Sequence, residues 1–154
     1  MIVRLTGLLL AAVCMASPLS WNLGPAQKAS SEVPPYPRSR TEPWFEKYHK
    51  QARDAIRQST GADLQMWMTD DSFEQVVTHY KAFGVERIEF SKPLAAMLSE
   101  KSGRPVKATY VIFDGSDGPV TSKRYVSIQR PVVVQYDPLE VHDVTAIALY
   151  RLDK

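Results

Sequence analysis

Cysteine occurs once in this sequence, as Cys14, inside the apolar run at the N-terminus. A chain cleaved beyond that run has no disulfide, no thiolate nucleophile and no cysteine metal ligand. Zinc ribbons, thioredoxin-like redox chemistry and Cys-His proteolysis are excluded together, and stability is left to packing. Glycine is scarce as well, seven in 154 residues. There is no Walker loop, no glycine-rich dinucleotide turn and no G-x-S-x-G elbow, so phosphate cradles and nucleotide cofactors are not expected. His49, His79 and His142 are far apart and lack paired metal-ligand spacing, so no metal site is expected. Neither sign of charge dominates: 19 Lys and Arg face 17 Asp and Glu, for a formal net charge of +2. That balance predicts no nucleic-acid partner.

What is present describes a folded, exported chain. A hydrophobic fraction of 44% with 23% charged residues is a globular balance, and the length suits one domain. Arg4 precedes an apolar run from Leu5 to Ala16. The run is shorter than the roughly 20 apolar residues of a bilayer span and has the form of an export signal. Cleavage is placed after Ala26, with Gly24 as the upstream small residue, ahead of the alternative after Ala16. Val13 beside Cys14 argues against lipidation, and an uncleaved N-terminal anchor is the competing account. The expected organisation is a signal peptide over 1–26, a linker or flexible N-terminus over 27–42 with Pro34, Pro35 and Pro37, and one α+β domain over 43–154. The expected address is periplasmic or secreted, with no transmembrane segment in the mature chain.

Periodicity supplies the elements. Trp44, Phe45, Tyr48, Ala52, Ala55 and Ile56 recur at helical spacing from Pro43 to Ser59, behind Thr41 as a hydroxyl cap and before Gly61. The opposite stripe, Lys47, Lys50, Arg53 and Arg57, suggests either a solvated face or an element lying on anionic lipid or polyanion. Leu64, Met66 and Met68 alternate with Gln65, Trp67 and Thr69 as in a strand. Asp71 followed by Glu74 predicts a capped helix carrying Phe73, Val76, Val77, Tyr80 and Phe83, with Gly84 as its left-handed terminus. A short strand over Glu86 to Phe90 and a brief helix from Ser91 to Gly103 follow. Val106 to Phe113 and Arg124 to Arg130 form a hairpin around Asp114-Gly115-Ser116-Asp117-Gly118-Pro119. Val132 to Tyr136, between prolines, is an edge strand, and Val144 to Leu152 is the last strand. The fold class is thus a two-layer α+β domain: a mainly antiparallel sheet of four or five strands, the capped helix on one face, and an extra N-terminal helix.

Tyr36-Pro37, the run Thr69 to Val77 with Tyr80-Lys81, and Ile128-Gln129-Arg130-Pro131 together resemble small secreted bacterial proteins of uncharacterised function. In these a tyrosine-proline element precedes a strand, a T-x-D-S-x-E-x-V helix start and a later strand ending in an I-x-R-P-like run. The resemblance implies a fold and an address, not an activity.

Catalytic machinery is thin. Asp70-Asp71 and Glu140 with Asp143 are paired carboxylates, but capping and loop solvation account for them, and the Asp114 cluster lacks the ligand spacing of a calcium loop. Packing of the capped helix should cover Leu64, Met66, Met68, Val126, Ile128, Ile147 and Leu149. By alternation the other face would carry Trp67, Tyr125, Ser127, Gln129 and Tyr150, aromatic bodies with polar groups suited to a glycan, a peptide or an envelope protein. The competing account has Trp44, Phe45 and Tyr48 covering that face as a second layer of core. A non-catalytic binding or interaction module of the cell envelope is therefore the expected function, with Trp67, Tyr125, Gln129 and Tyr150 as candidate ligand contacts. The alternative is a small hydrolase whose site is assembled from distant residues, which would need a pocket bringing His79 or His142 beside a carboxylate.

Overall fold

A computed structural model describes residues 33–136 and 138–152; the expected export signal and the first residues of the 27–42 stretch lie outside them. In chain order the elements are α1 (Pro43–Thr60), β1 (Asp63–Thr69), α2 (Phe73–Lys81), β2 (Val85–Glu86), a 3-10 turn (Ile88–Phe90), α3 (Lys92–Ser102), β3 (Lys107–Ile112), β4 (Arg124–Arg130), β5 (Val132–Tyr136), β6 (Leu139–His142) and β7 (Thr145–Arg151). Five strands make one antiparallel sheet in the order β1-β7-β4-β3-β2, and β5 pairs with β6 in a separate two-stranded sheet. The α+β class and the five-strand count agree with the sequence.

Local chemistry explains most boundaries. Pro43 opens α1 where its missing N–H costs nothing, and Gly61, at φ 74°, closes it in the left-handed conformation. Glu42 rather than Thr41 occupies the cap and makes no side-chain capping bond. The cap of α2 is Ser72, one residue beyond the expected Asp71. Its hydroxyl accepts from the Gln75 amide, and the Gln75 side chain accepts from the Ser72 amide. Asp71 is unavailable because its carboxylate accepts from the Tyr36 hydroxyl at 2.6 Å and pairs with Arg38 at 2.8 Å. Gly84 is not left-handed; α2 ends at Ala82 in right-handed geometry. A side chain at Gly84 would run into the Ile112 carbonyl, so this glycine serves close approach to β3. The strand expected over Glu86 to Phe90 stops at Glu86. There the Ser91 hydroxyl, bonded to the carbonyls of Ile88 and Ala108, draws the chain into the 3-10 turn.

Register assigns the faces. Trp67, Ile147, Ile128 and Thr109 form one cross-strand row, and Gln65, Leu149, Val126 and Val111 the next. Val111, Val126, Ile128 and Ile147 pack against Phe73, Val76, Val77 and Tyr80 of α2. Leu64, Met66 and Met68 were expected on that face, but they lie on the opposite one with Phe45 and Ala52 of α1. Their partners Tyr150, Ala148 and Ala146 put them there. The account in which α1 makes the second face a core is the observed one.

The described part of the expected linker is docked. Tyr36 is 7% exposed within the α2-side core, and Arg40 forms an antiparallel bridge with Met68 at the β1 edge. Burying one large side chain, worth about 1.5–3 kcal/mol, holds a proline-rich segment that lacks secondary structure of its own. Among the described residues, no helix is long and apolar enough to cross a membrane.

Candidate functional site

Three cross-strand rows face α1. The outer two are Leu64, Tyr150, Tyr125 and Ile112, then Met68, Ala146, Gln129 and Ala108; the middle row is Met66, Ala148, Ser127 and Tyr110. Small residues stand at the centre of that middle row, so α1 cannot close fully on the sheet. The result is a cleft of about 50 Å³ roofed by Tyr48, Ala52 and Ile56 and bounded by Tyr110, Tyr125 and Tyr150.

Aromatic packing fixes these walls. Tyr125 and Tyr150, direct cross-strand partners, stack at 4.7 Å with planes 14° apart, and Tyr110 meets Tyr125 edge-on at 5.6 Å. Burial pushes the Tyr125 phenol well above its ordinary value, and the neighbouring phenols of Tyr110 and Tyr150 add to the shift. Burial likewise raises Tyr110. Both therefore remain neutral donors at any physiological pH. The lining contains no carboxylate and no histidine. Such a cleft can desolvate an apolar group between aliphatic and aromatic walls.

Of the four sequence-derived candidates, Tyr125 and Tyr150 lie together in the cleft wall. Gln129 shares their face but sits in the other outer row, with Met68 and Ala146, and does not line the cleft; its amide nitrogen donates to the Pro131 carbonyl at 3.1 Å. Trp67 is on the opposite face and packs at the margin of the α2-side core. Alternation fixes the phase within a strand, but register fixes it between strands, and Trp67 pairs with Ile147. Tyr110 and Ala148 were missed for the same reason, since only cross-strand pairing puts them beside Tyr125.

The histidines and acids are engaged elsewhere. The His142 imidazole stacks on Trp44 at 3.7 Å and lies 2.8 Å from Glu140, outside the cleft. His79 packs edge-on to Tyr36 and Tyr80; its Nε2 is buried without a partner, and burial lowers its pKa. Asp70 pairs with Arg40, whose hydrogen bond holds the carboxyl below its ordinary range. Arg130 is the centre of a corner. Its guanidinium donates to the carbonyls of Asp70 and Asp71, to the Thr145 hydroxyl and to Asp143. Tyr36, Asp71 and Arg130, from three segments distant in sequence, thus meet at the junction of β1, β4 and β7. Asp114 accepts from Ser122 and from the amides of Ser116, Lys123 and Arg124, which ties the loop of the β3-β4 hairpin. Compared with known proteins, the chain matches no protein-family model, no curated protein and no solved structure.

Proposed function

We propose that this chain is an exported, non-catalytic binding domain of the bacterial cell envelope, whose tyrosine cleft receives one apolar side chain of an envelope peptide or partner protein. The observation that carries this reading is the composition of the cleft: the Tyr110 and Tyr125 phenols held neutral by burial, aliphatic walls and a floor of small residues, with no carboxylate or imidazole in the lining. Its size sets the scale of the guest. About 50 Å³ is less than the roughly 150 Å³ cavity that holds a benzene ring, so the cleft suits a short branched side chain. Arg4 and the apolar run from Leu5 to Ala16 support the address, as does the resemblance of Tyr36-Pro37, the run Thr69 to Val77 and Ile128-Gln129-Arg130-Pro131 to small secreted proteins.

The test is a thermal-shift screen against envelope peptides, peptidoglycan fragments and glycans. A native-state binder at a hundred times its Kd stabilises by about 2.7 kcal/mol. A peptide bearing valine or leucine should raise the midpoint, and Ala148→Leu, which fills the cleft, should abolish the shift while unfolding stays cooperative. No shift with any peptide would overturn the reading. Cell fractionation with N-terminal sequencing tests export, the expected product beginning at Gln27.

A further inference from the structure

We propose that a second site, the polar groove between α1 and the outer edge of β1, binds an extended acidic peptide whose backbone bridges to β1 at Met66, the one outward position between the Arg40 bridge and His49. The groove encloses about 280 Å³ and is lined by Glu46, His49, Lys50 and Arg53 of α1 together with β1 residues that include Met66. It lies beside the first strand of the sheet, apart from the tyrosine cleft's roof and aromatic walls.

Charge is the first ground. Arg38, Arg40, Arg57, Arg87, Arg130 and Arg151 each have a carboxylate within 4.0 Å. Among the described residues Lys50 and Arg53 have none, and the Arg53 Nε is buried with no hydrogen-bond partner. Glu46 stands one turn from Lys50 on the same helix without pairing to it. Two cations free of carboxylates in one groove are complementary to a ligand that brings its own.

The backbone is the second ground. Met68 exchanges both its hydrogen bonds with Arg40, at 2.8 and 2.9 Å, on the outer side of β1. On the same side the His49 Nε2 lies 3.1 Å from the Leu64 carbonyl. Alternate residues of an antiparallel strand turn both backbone groups to one side. Met66, midway between Leu64 and Met68, therefore presents its N–H and C=O to the groove. A peptide backbone satisfies both with an N–H and a C=O set at strand spacing. The Arg40 bridge demonstrates that this edge already takes an antiparallel neighbour.

The experiment measures fluorescence polarisation of a fluorescein-labelled peptide of alternating glutamate and valine titrated with the full chain. Saturable binding should weaken as salt rises and fall about tenfold or more with Lys50→Glu plus Arg53→Glu, helix content by circular dichroism being retained. A peptide N-methylated at its central residues, which requires no change in the protein, should bind at least about tenfold more weakly because it cannot donate to the Met66 carbonyl. Absence of saturable binding overturns the proposal. So does equal affinity for the N-methylated peptide, or equally effective displacement by inorganic phosphate, which would make the groove a free-anion site.

Discussion

The two faces of the five-stranded sheet are built from the same strands and do different work. Toward α2 the centre of the sheet is β-branched: Val111, Val126, Ile128 and Ile147 are fully buried, and Val76 of the helix meets them with no exposure of its own. Toward α1 the rows alternate large and small, with Tyr150 and Tyr125 beside Ala148 and Ser127. Branched aliphatic side chains interlock without gaps; aromatic rings beside alanine and serine do not. The comparison teaches that one face supplies stability and the other supplies space, and that the division is written in side-chain volume more than in hydrophobicity.

The largest expected effect is on the dense face. Ile128→Ala should cost about 2–5 kcal/mol, measured by chemical denaturation; a loss below 1 kcal/mol would mean that this face is not the stability core. The sharper comparison adds bulk to each face in turn. Val126→Phe has nowhere to put its ring and should cost about 1–3 kcal/mol, whereas Ala148→Leu enters the cleft and should stay within about 1 kcal/mol of the parent. Equal costs would erase the distinction. The last effect is absent at neutral pH and concerns alkali, to which both faces respond alike. Tyr36 and Tyr80 on the α2 side, and Tyr110 and Tyr125 on the α1 side, all have phenols raised by burial, Tyr80 to about 12. A folded value above the unfolded value near 10 contributes stability that is whole below pH 10 and lost as pH rises toward the folded value. Stability should therefore fall above about pH 10, by up to about 1.4 kcal/mol per pH unit for each such group, and Tyr125→Phe should make the fall shallower. An unchanged slope would show that Tyr125 ionises as readily folded as unfolded.

Elements were legible wherever one periodicity spanned enough residues. The aromatic stripe of α1, the alternation of β1 and the β-branched runs of β3, β4 and β7 each announced themselves. The cap of α2 was misplaced by one residue because Asp71 with Glu74 and Ser72 with Gln75 fit the same spacing, and only the contacts of Tyr36 and Arg38 with Asp71 decide between them. β6 escaped notice because Leu139 to His142 is four residues long and follows Pro138 directly. The docking of Tyr36 was hidden by its prolines, whose local preference says nothing about what a neighbouring ring will bury against. Of the cleft, Tyr125 and Tyr150 were legible by alternation on their own strands. Tyr110, Ala148 and the misassigned Trp67 were not, because a strand's phase relative to its neighbours is a property of pairing.

The position of β7 has a consequence in time. Among the described residues it is the last strand, yet it lies between β1 and β4 and is the strand that links them in the sheet. While the chain is being made, β1 and the β3-β4 hairpin have no strand pairing between them, and contacts so distant in sequence form late and slowly. Closure therefore waits for residues 145–151 to leave the ribosome, and until then any machinery that handles unfolded chains still has an unfolded chain to handle.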